Sequence, residues 1–332
     1  MNIRNIRQIH ETAAQRLDQA KYKNQIILIY GGIFVGLSAL VTVITYVLSL
    51  QISKTGGLSN MGLRSMLSTI NSVLPILQNL VLLCLELGFL NAMIRMGRGL
   101  YTSPQSLRAG LPRFWAAIRC SLLISMRYLL AGLAAFYLAL MIFGFTPLSD
   151  GAMEILTPIY EQMNIMNSQL VVDDATISAL MVAMAPFFVI LAVVLLLMLV
   201  PLYYRYRLAN YILMDKPAYG ALQALMESQI RMRKNRFALF KLDLSLWWYY
   251  LIVGLSVAVC YGDVIFSLRG SALPWSDTVS YFLFYGLFLV IQFAIYYFFG
   301  CRVGITYALA YDALNPKEEE PSGVVLGNIF QN

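Results

Sequence analysis

Charged residues are scarce in this chain of 332 residues. Asp, Glu, Lys and Arg together make up 12% of it, against the roughly 25% that a soluble domain carries. Apolar residues make up 59%, which is more than one water-exposed domain hides in a single core. The composition therefore excludes an ordinary soluble domain and predicts an all-α polytopic transmembrane helical bundle. The net charge of +7 falls in short loops between apolar runs, so we predict no nucleic-acid partner.

Histidine is almost absent, and the common catalytic motifs are missing. His10 is the single histidine, which excludes HExxH and every metal site built on two histidines. We expect it to be solvated on the polar side of a helix. Neither a GxxxxGK[ST] phosphate loop nor a GxSxG nucleophile turn occurs. We therefore predict no cofactor, no metal and no catalytic residue, and an enzyme is disfavoured.

The four cysteines show no metal-binding or redox spacing. They lie in or beside apolar segments and form no CxxC pair. Free cysteines in such places are usually small packing residues, so we assign them no chemistry. They are Cys84, Cys120, Cys260 and Cys301.

Long apolar runs are what the sequence has instead. Several exceed the ~18 residues that mark a membrane span. We predict a transmembrane domain over residues 25–314 with about six spans. They lie at about 25–50, 70–96, 114–145, 178–203, 243–262 and 278–301.

The positions of lysine and arginine predict the orientation. Twenty lie in the N-terminal segment, in the connections 95–119 and 203–241, and at the C-terminal end, whereas only Lys54, Arg64 and Arg269 lie on the other side. Because basic loops stay in the cytoplasm, both termini are predicted to be cytoplasmic. The segment 146–177 has five acidic residues and no basic one, so we predict that it is an outer loop. Residues 204–241 are predicted to be a basic, helical cytoplasmic segment.

The two ends of the chain differ from the spans. Residues 1–24 have apolar side chains on one helical stripe, including Ile3 and Leu17, with arginine and lysine around it. This pattern predicts an amphipathic helix at the cytoplasmic interface of an anionic bilayer. Residues 315–332 contain two prolines and three consecutive glutamates and are predicted to be a disordered cytoplasmic tail.

Two charged side chains interrupt apolar runs: Glu86 in the second predicted span and Arg127 in the third. A charge at mid-span costs about 2.5–3.5 kcal/mol on insertion scales, so such residues usually face the bundle interior and pair. Glu86 lies about 13 Å and Arg127 about 12 Å along the axis from the basic end of its span, and Asp243 about 10 Å. These similar depths would let antiparallel helices bring the three together.

Two interpretations of Glu86, Arg127 and Asp243 stay open. They form an intramembrane polar site for an ion, a proton or an anionic head group, or Glu86 and Arg127 are a structural ion pair that fixes helix packing. The neighbouring Trp247 and Trp248 bear on the depth of Asp243 in the membrane. If these two tryptophans form the aromatic belt of the bilayer, Asp243 lies at the cytoplasmic interface.

A basic cluster lies in the cytoplasmic segment beside Phe237 and Phe240. It is a candidate contact for anionic lipid head groups, at about 1 kcal/mol for each basic residue near the surface. The alternative is the ordinary excess of basic residues in cytoplasmic loops. Its members are Arg231, Arg233, Lys234, Arg236 and Lys241.

The region 203–250 contains a spaced series of residues: Tyr211-Ile212-Leu213, Asp215, Pro217, Ala224, Ser228, Met232, Lys234-Asn235, Leu239-Phe240, Leu242, Leu244-Ser245 and Trp248. This series resembles an uncharacterised integral-membrane family of Firmicutes, the domain-of-unknown-function family nine-seven-five. Arg233 stands where that family usually has a glycine. The resemblance implies a multi-pass protein of the bacterial cytoplasmic membrane, and it implies no activity.

Two functions are compatible with these patterns. The leading hypothesis is a non-enzymatic membrane protein that binds lipid, a membrane-protein partner or a second copy of itself. The alternative is a small-solute or ion transporter or channel that uses Glu86 and Arg127.

Overall fold

A computed structural model of the chain describes residue 3 and residues 5–54, 61–164, 174–262 and 277–314. These described residues are 90% helical, and they contain no strand. The prediction of an all-α fold is confirmed. The predicted tail 315–332, Arg269 and residues 165–173 of the predicted outer loop lie outside the described residues.

We number the α-helices of the described ranges in chain order. Short 3₁₀ segments precede α4 and α5, at Pro104–Arg113 and Pro147–Ser149, and a π-helical turn, Tyr296–Gly300, joins the last two α-helices. The α-helices are α1 (Ile6–Gln19), α2 (Lys23–Lys54), α3 (Met61–Gly97), α4 (Phe114–Gly144), α5 (Asp150–Asn164), α6 (Asp174–Ala183), α7 (Ala185–Tyr206), α8 (Ala209–Asp215), α9 (Ala221–Met232), α10 (Arg236–Ser245), α11 (Trp247–Cys260), α12 (Asp277–Ile295) and α13 (Cys301–Leu314).

Five helical stretches of the described ranges are long and apolar enough to cross a bilayer, and there are six if a bent pair of helices forms one span. These are the helices of a membrane-embedded protein, as the apolar runs predicted. The five stretches are Lys23–Lys54, Met61–Gly97, Pro104–Gly144, Ala185–Asp215 and Thr278–Leu314.

The predicted fifth span, 243–262, is not one straight helix. Its residues belong to α10 and α11, which are bent by 67° at Leu246, where φ is −101° and ψ is 17°. The 14 residues of α11 extend about 21 Å, which is less than the ~30 Å of a hydrocarbon core. This stretch therefore crosses only if both helices contribute.

The predicted sixth span, 278–301, ends too early. The helix continues through the π turn to Leu314, although Arg302 and Asp312 interrupt its apolar run. It persists because the side chains of α13 are covered by protein, with Ala308 and Tyr311 fully buried against neighbours that include α1 and α3.

Two compact units divide the chain. Unit 1 comprises Met1–Cys120 with Leu208–Asn332, and unit 2 comprises Ser121–Arg207. In unit 2, a small apolar cluster joins α4, α5 and α7 through Ala139, Phe143, Ala152 and Phe187.

Unit 1 has a dense core of side chains that are at most 1% exposed. It lies among α1, the C-terminal half of α3, and the helices α8, α9, α10 and α13. We call it the unit 1 core, and define it by Ile9, Leu87, Ile212, Leu225, Leu242 and Tyr311.

Helix α1 contributes to this core with its apolar face. Ile9 and Ala13 are 0% and 1% exposed, and the helix packs against α13 and α3. Protein thus covers the face that the sequence pattern assigned to the membrane interface. The amphipathic pattern of α1 is explained by packing within unit 1, because the exposed face alone is polar.

The backbone of the 3₁₀ segment Pro104–Arg113 lies in direct contact with the backbone of α3. A Cβ atom on Gly88 would lie 1.8 Å from the carbonyl oxygen of Leu107, and one on Gly110 would lie 2.0 Å from that of Cys84. Gly99, with φ at +73°, reverses the chain between the two elements, a conformation that L side chains rarely adopt. Glycine at these positions lets the connection run back along α3.

Candidate functional site

A cavity of about 510 Å³ lies inside unit 1. Ligand pockets usually measure roughly 300–1,000 Å³, so the cavity is large enough for a small molecule or a lipid head group. Its walls come from α2, α3, α8, α11, the π turn and α13. The lining residues are Tyr30, Phe34, Asn79, Leu82, Leu83, Glu86, Phe89, Leu90, Met93, Tyr211, Tyr249, Tyr296, Gly300, Val303, Gly304 and Tyr307.

Glu86 is the charged residue of this wall. It belongs to α3, and although protein surrounds it, its side chain is exposed to the cavity. The carboxylate lies close enough to Tyr30 and Tyr296 to interact with them electrostatically. Among the residues that the structure describes, no hydrogen bond or ion pair satisfies it. Glu86, which the sequence singles out because it interrupts an apolar run, therefore faces an open space.

Aromatic rings pack around Tyr30 and Tyr296 on the same wall. Tyr30 stacks on Phe89, with ring centroids 4.4 Å apart and planes inclined by 27°. Tyr296 meets Tyr30 edge-on at 5.3 Å and Phe34 at 5.4 Å. These contacts link α2, α3 and the π turn, so the wall next to Glu86 is held by side chains from three segments.

Asp243 lies beside the cavity and is bound by tyrosine hydroxyls. The hydroxyl of Tyr307 donates a hydrogen bond of 2.5 Å to its Oδ1 atom, and that of Tyr250 donates one of 3.4 Å. The two hydroxyls are 2.5 Å apart. Tyr307 also lines the cavity, so it connects the surroundings of Glu86 with those of Asp243. Asp243 itself is 9% exposed.

Arg127 belongs to unit 2, where its guanidinium stacks on an aromatic ring. Its Cζ atom is 4.8 Å from the ring centroid of Tyr206, a cation–π distance. Its Nη1 atom is buried, and no described residue accepts a hydrogen bond from it. Each of Glu86 and Arg127 thus has surroundings of its own in its unit, and their pairing stays a prediction.

The members of the basic cluster in and between α9 and α10 differ in their exposure. Arg231 is 7% exposed, and its Nη2 atom is 2.7 Å from Oε1 of Glu227, so it is not open to a lipid head group. Arg233, Lys234 and Lys241 are exposed. The Nζ atom of Lys241 is 4.9 Å from the ring centroid of Phe237. Arg236 is half-buried.

Sequence reasoning missed an ion cluster centred on Arg98. Its Nη1 is 2.5 Å from Oδ1 of Asp215, and its Nη2 is 2.7 Å from Oδ1 of Asp312. Hydrogen bonds to Asp215 and then to Asp312 raise the pKa of Arg98 above its usual value. Tyr311 donates a hydrogen bond of 2.8 Å to Asp215. The cluster joins the C-terminal ends of α3, α8 and α13, and no local sequence pattern signals it because its members are far apart in the chain.

His10 is half-buried rather than solvated. Its Nε2 atom is 2.9 Å from the Oγ atom of Ser245, whose own hydroxyl donates to the carbonyl of Leu242. Nε2–H is therefore the donor to Ser245. Burial, and then the positive charge of Arg302, lower the pKa of His10 below its ordinary value of 6.5.

Comparisons with family models, curated proteins and solved structures gave no match to this chain. The resemblance to family nine-seven-five therefore stays a prediction. In the described part of the chain, no three metal-ligating side chains come together.

Proposed function

We propose that this protein is a non-enzymatic membrane protein that binds a lipid or another small organic molecule in the cavity lined by Glu86. The observation that carries the proposal is a carboxylate that faces an open space of about 510 Å³ without a partner in the described residues. A polar group kept in apolar surroundings is costly. An ionisable residue in a membrane segment therefore usually marks a functional site.

The proposed location is the cytoplasmic membrane of a bacterium, with both termini in the cytoplasm. The distribution of lysine and arginine supports this orientation. The exposed members of the basic cluster, Arg233, Lys234 and Lys241, then lie on the cytoplasmic side. Phe237 is 66% and Phe240 is 41% exposed beside them. We propose that this surface, formed by α10 and the connection before it, rests on anionic head groups, with the two rings at the acyl boundary.

Filling the cavity tests the proposal. Leu83 lines the cavity, so Leu83→Trp should displace a ligand from it. Leu122→Trp is the matched control, because Leu122 lies on α4 in unit 2 and is 57% exposed. Both variants and the unmodified protein would be purified with bacterial lipid and examined by native mass spectrometry. We expect the unmodified protein and Leu122→Trp to carry a bound small molecule or lipid, and Leu83→Trp to lose it.

Two results would contradict the proposal. One is an unmodified protein that carries no ligand and takes up none from added lipid extract. The other is a bound ligand that Leu83→Trp retains as fully as Leu122→Trp does. Circular dichroism of each variant would establish that the helices are intact.

Transport is the second candidate, and the π turn favours it. Single π turns within α-helices occur frequently at functional sites, and Tyr296 and Gly300 of this turn line the cavity. A transporter would move its ligand across liposomes, whereas a binding protein would not. Flux that depends on Glu86 would therefore replace the first proposal with this one.

A further inference from the structure

We propose that the Glu86 cavity binds an organic ammonium cation, either as a free amine or as the head group of a lipid. This inference rests on the proposed ligand-binding function and specifies the chemistry of the ligand. It combines three observations: one unpaired carboxylate, a wall without basic residues, and a high content of aromatic rings.

The charge of the wall selects a cation. Glu86 is an acid, and no lysine, arginine or histidine is among the described residues that line the cavity. A negatively charged ligand would meet an uncompensated carboxylate, which low-dielectric surroundings make unfavourable. A positively charged ligand would satisfy the carboxylate and lower the cost of keeping it inside the membrane.

The aromatic residues select an organic cation. Seven of the sixteen lining residues are tyrosine or phenylalanine. The faces of aromatic rings attract ammonium groups, and aromatic cages are the usual means by which proteins recognise quaternary ammonium ions. Tyr30 and Tyr296 lie near enough to Glu86 to interact with it electrostatically, and Phe89 stacks on Tyr30. The carboxylate and the rings therefore act on the same charged group.

A metal ion fits this cavity poorly. Calcium takes six to eight oxygen ligands, and magnesium requires a nearly octahedral set. Glu86 is the single carboxylate among the described lining residues, and most of the other lining side chains are aromatic or apolar. A bulky cation with a diffuse charge needs no such set of oxygen ligands.

Choline and its neutral carbon isostere, 3,3-dimethyl-1-butanol, have nearly the same shape but differ in charge. Comparing their affinities therefore shows whether the cavity recognises the positive charge. The full-length protein in detergent would be titrated with each by isothermal calorimetry. We expect choline to bind at least tenfold more tightly than the isostere. Glu86→Gln should weaken choline binding at least tenfold, and Tyr296→Leu should weaken it several-fold. Glu154→Gln is the matched control, since it removes an exposed acid of α5 in unit 2 and should change nothing.

A second experiment tests whether the ammonium group belongs to a lipid. Nanodiscs of phosphatidylcholine or phosphatidylglycerol would be used to load the protein before native mass spectrometry. Phosphatidylcholine retained by the unmodified protein and lost in Glu86→Gln supports the inference and identifies a lipid head group as the source. Choline binding without lipid retention supports it and identifies a free amine.

Other outcomes overturn the inference in distinguishable ways. If the isostere binds as tightly as choline, or if Glu86→Gln binds choline and retains phosphatidylcholine normally, the site does not recognise an ammonium charge. If phosphatidylglycerol is retained in preference to phosphatidylcholine and choline does not bind, the cavity is a ligand site of different chemistry, and only this inference fails. If no probe or lipid binds at all, the proposed function fails with it.

Discussion

The unit 1 core and the helices of unit 2 use apolar side chains in opposite ways. Leu225 and Leu242 in unit 1 are 0% exposed, whereas Leu197 and Val189 on α7 of unit 2 are 71% and 64% exposed. The first pair is buried as in a soluble domain. The second pair is what a bilayer covers, because lipid tails are as apolar as leucine. One hydrophobic composition thus conceals two kinds of packing, and only the first fixes side chains against protein.

The largest difference between the two regions should appear with Gly88→Ala. The new methyl group would lie 1.8 Å from the carbonyl oxygen of Leu107, so α3 and the 3₁₀ segment must separate. We expect destabilisation of about 3 kcal/mol, the upper part of the range for overpacking. Thermal unfolding in detergent, followed by circular dichroism, would measure it.

Gly132→Ala in α4 of unit 2 is the control for this substitution. Apart from the neighbouring residues and backbone of its own helix, no described atom lies within 4 Å of the Cβ position at Gly132. The variant should therefore be as stable as the unmodified protein or slightly more so, because alanine favours the helix. Equal stability of Gly88→Ala and Gly132→Ala would show that the close approach of the 3₁₀ segment is not required.

A somewhat smaller difference is expected from Leu225→Ala compared with Leu197→Ala. Removing the buried Leu225 side chain leaves a cavity in the unit 1 core and should cost about 2 kcal/mol, the lower end of the range for such a truncation. Leu197→Ala should cost little, because its side chain packs mainly outside the protein. Chemical unfolding in mixed micelles would compare the two, and similar losses at both positions would refute the distinction between the regions.

The smallest effect concerns pH and His10. Because its pKa is lowered on folding from 6.5, the unfolded chain binds more protons between the lowered value and pH 6.5. Stability should therefore be complete above pH 6.5 and decline as the pH falls below it. His10→Gln removes this contribution. Melting temperatures at pH 5.5 and 7.5 should differ less for the variant than for the unmodified protein, and an equal difference would contradict the assignment.

The fold was predictable where apolar runs are long. The first and third spans match α2 and α4 to within four residues, since length and composition suffice to mark a crossing helix. The second span matches the end of α3, which begins nine residues before the predicted start. The bend at Leu246 was not predictable, because neither proline nor glycine marks it. The extension to Leu314 was missed for a related reason. Tertiary contacts stabilise α13 beyond its apolar run, and no local window contains those contacts.

The candidate site was predictable only in part. Glu86 is visible in the sequence because a charge stands out in an apolar run. The tyrosines around it do not stand out, since the chain has 21 of them and those of the wall come from α2, α8, α11, the π turn and α13. No local pattern links Arg98, Asp215 and Asp312, and only the fold brings them together.

The π turn at Tyr296–Gly300 determines how far α13 is rotated about the helix axis relative to α12. A π turn accommodates about one residue more than an α turn, and each residue of an α-helix rotates the side-chain direction by about 100°. Were this turn regular, α13 would be rotated by that angle relative to α12. Tyr307 and Tyr311 would then leave Asp243 and Asp215, so one surplus residue keeps the polar contacts of α13 in register with the aromatic wall.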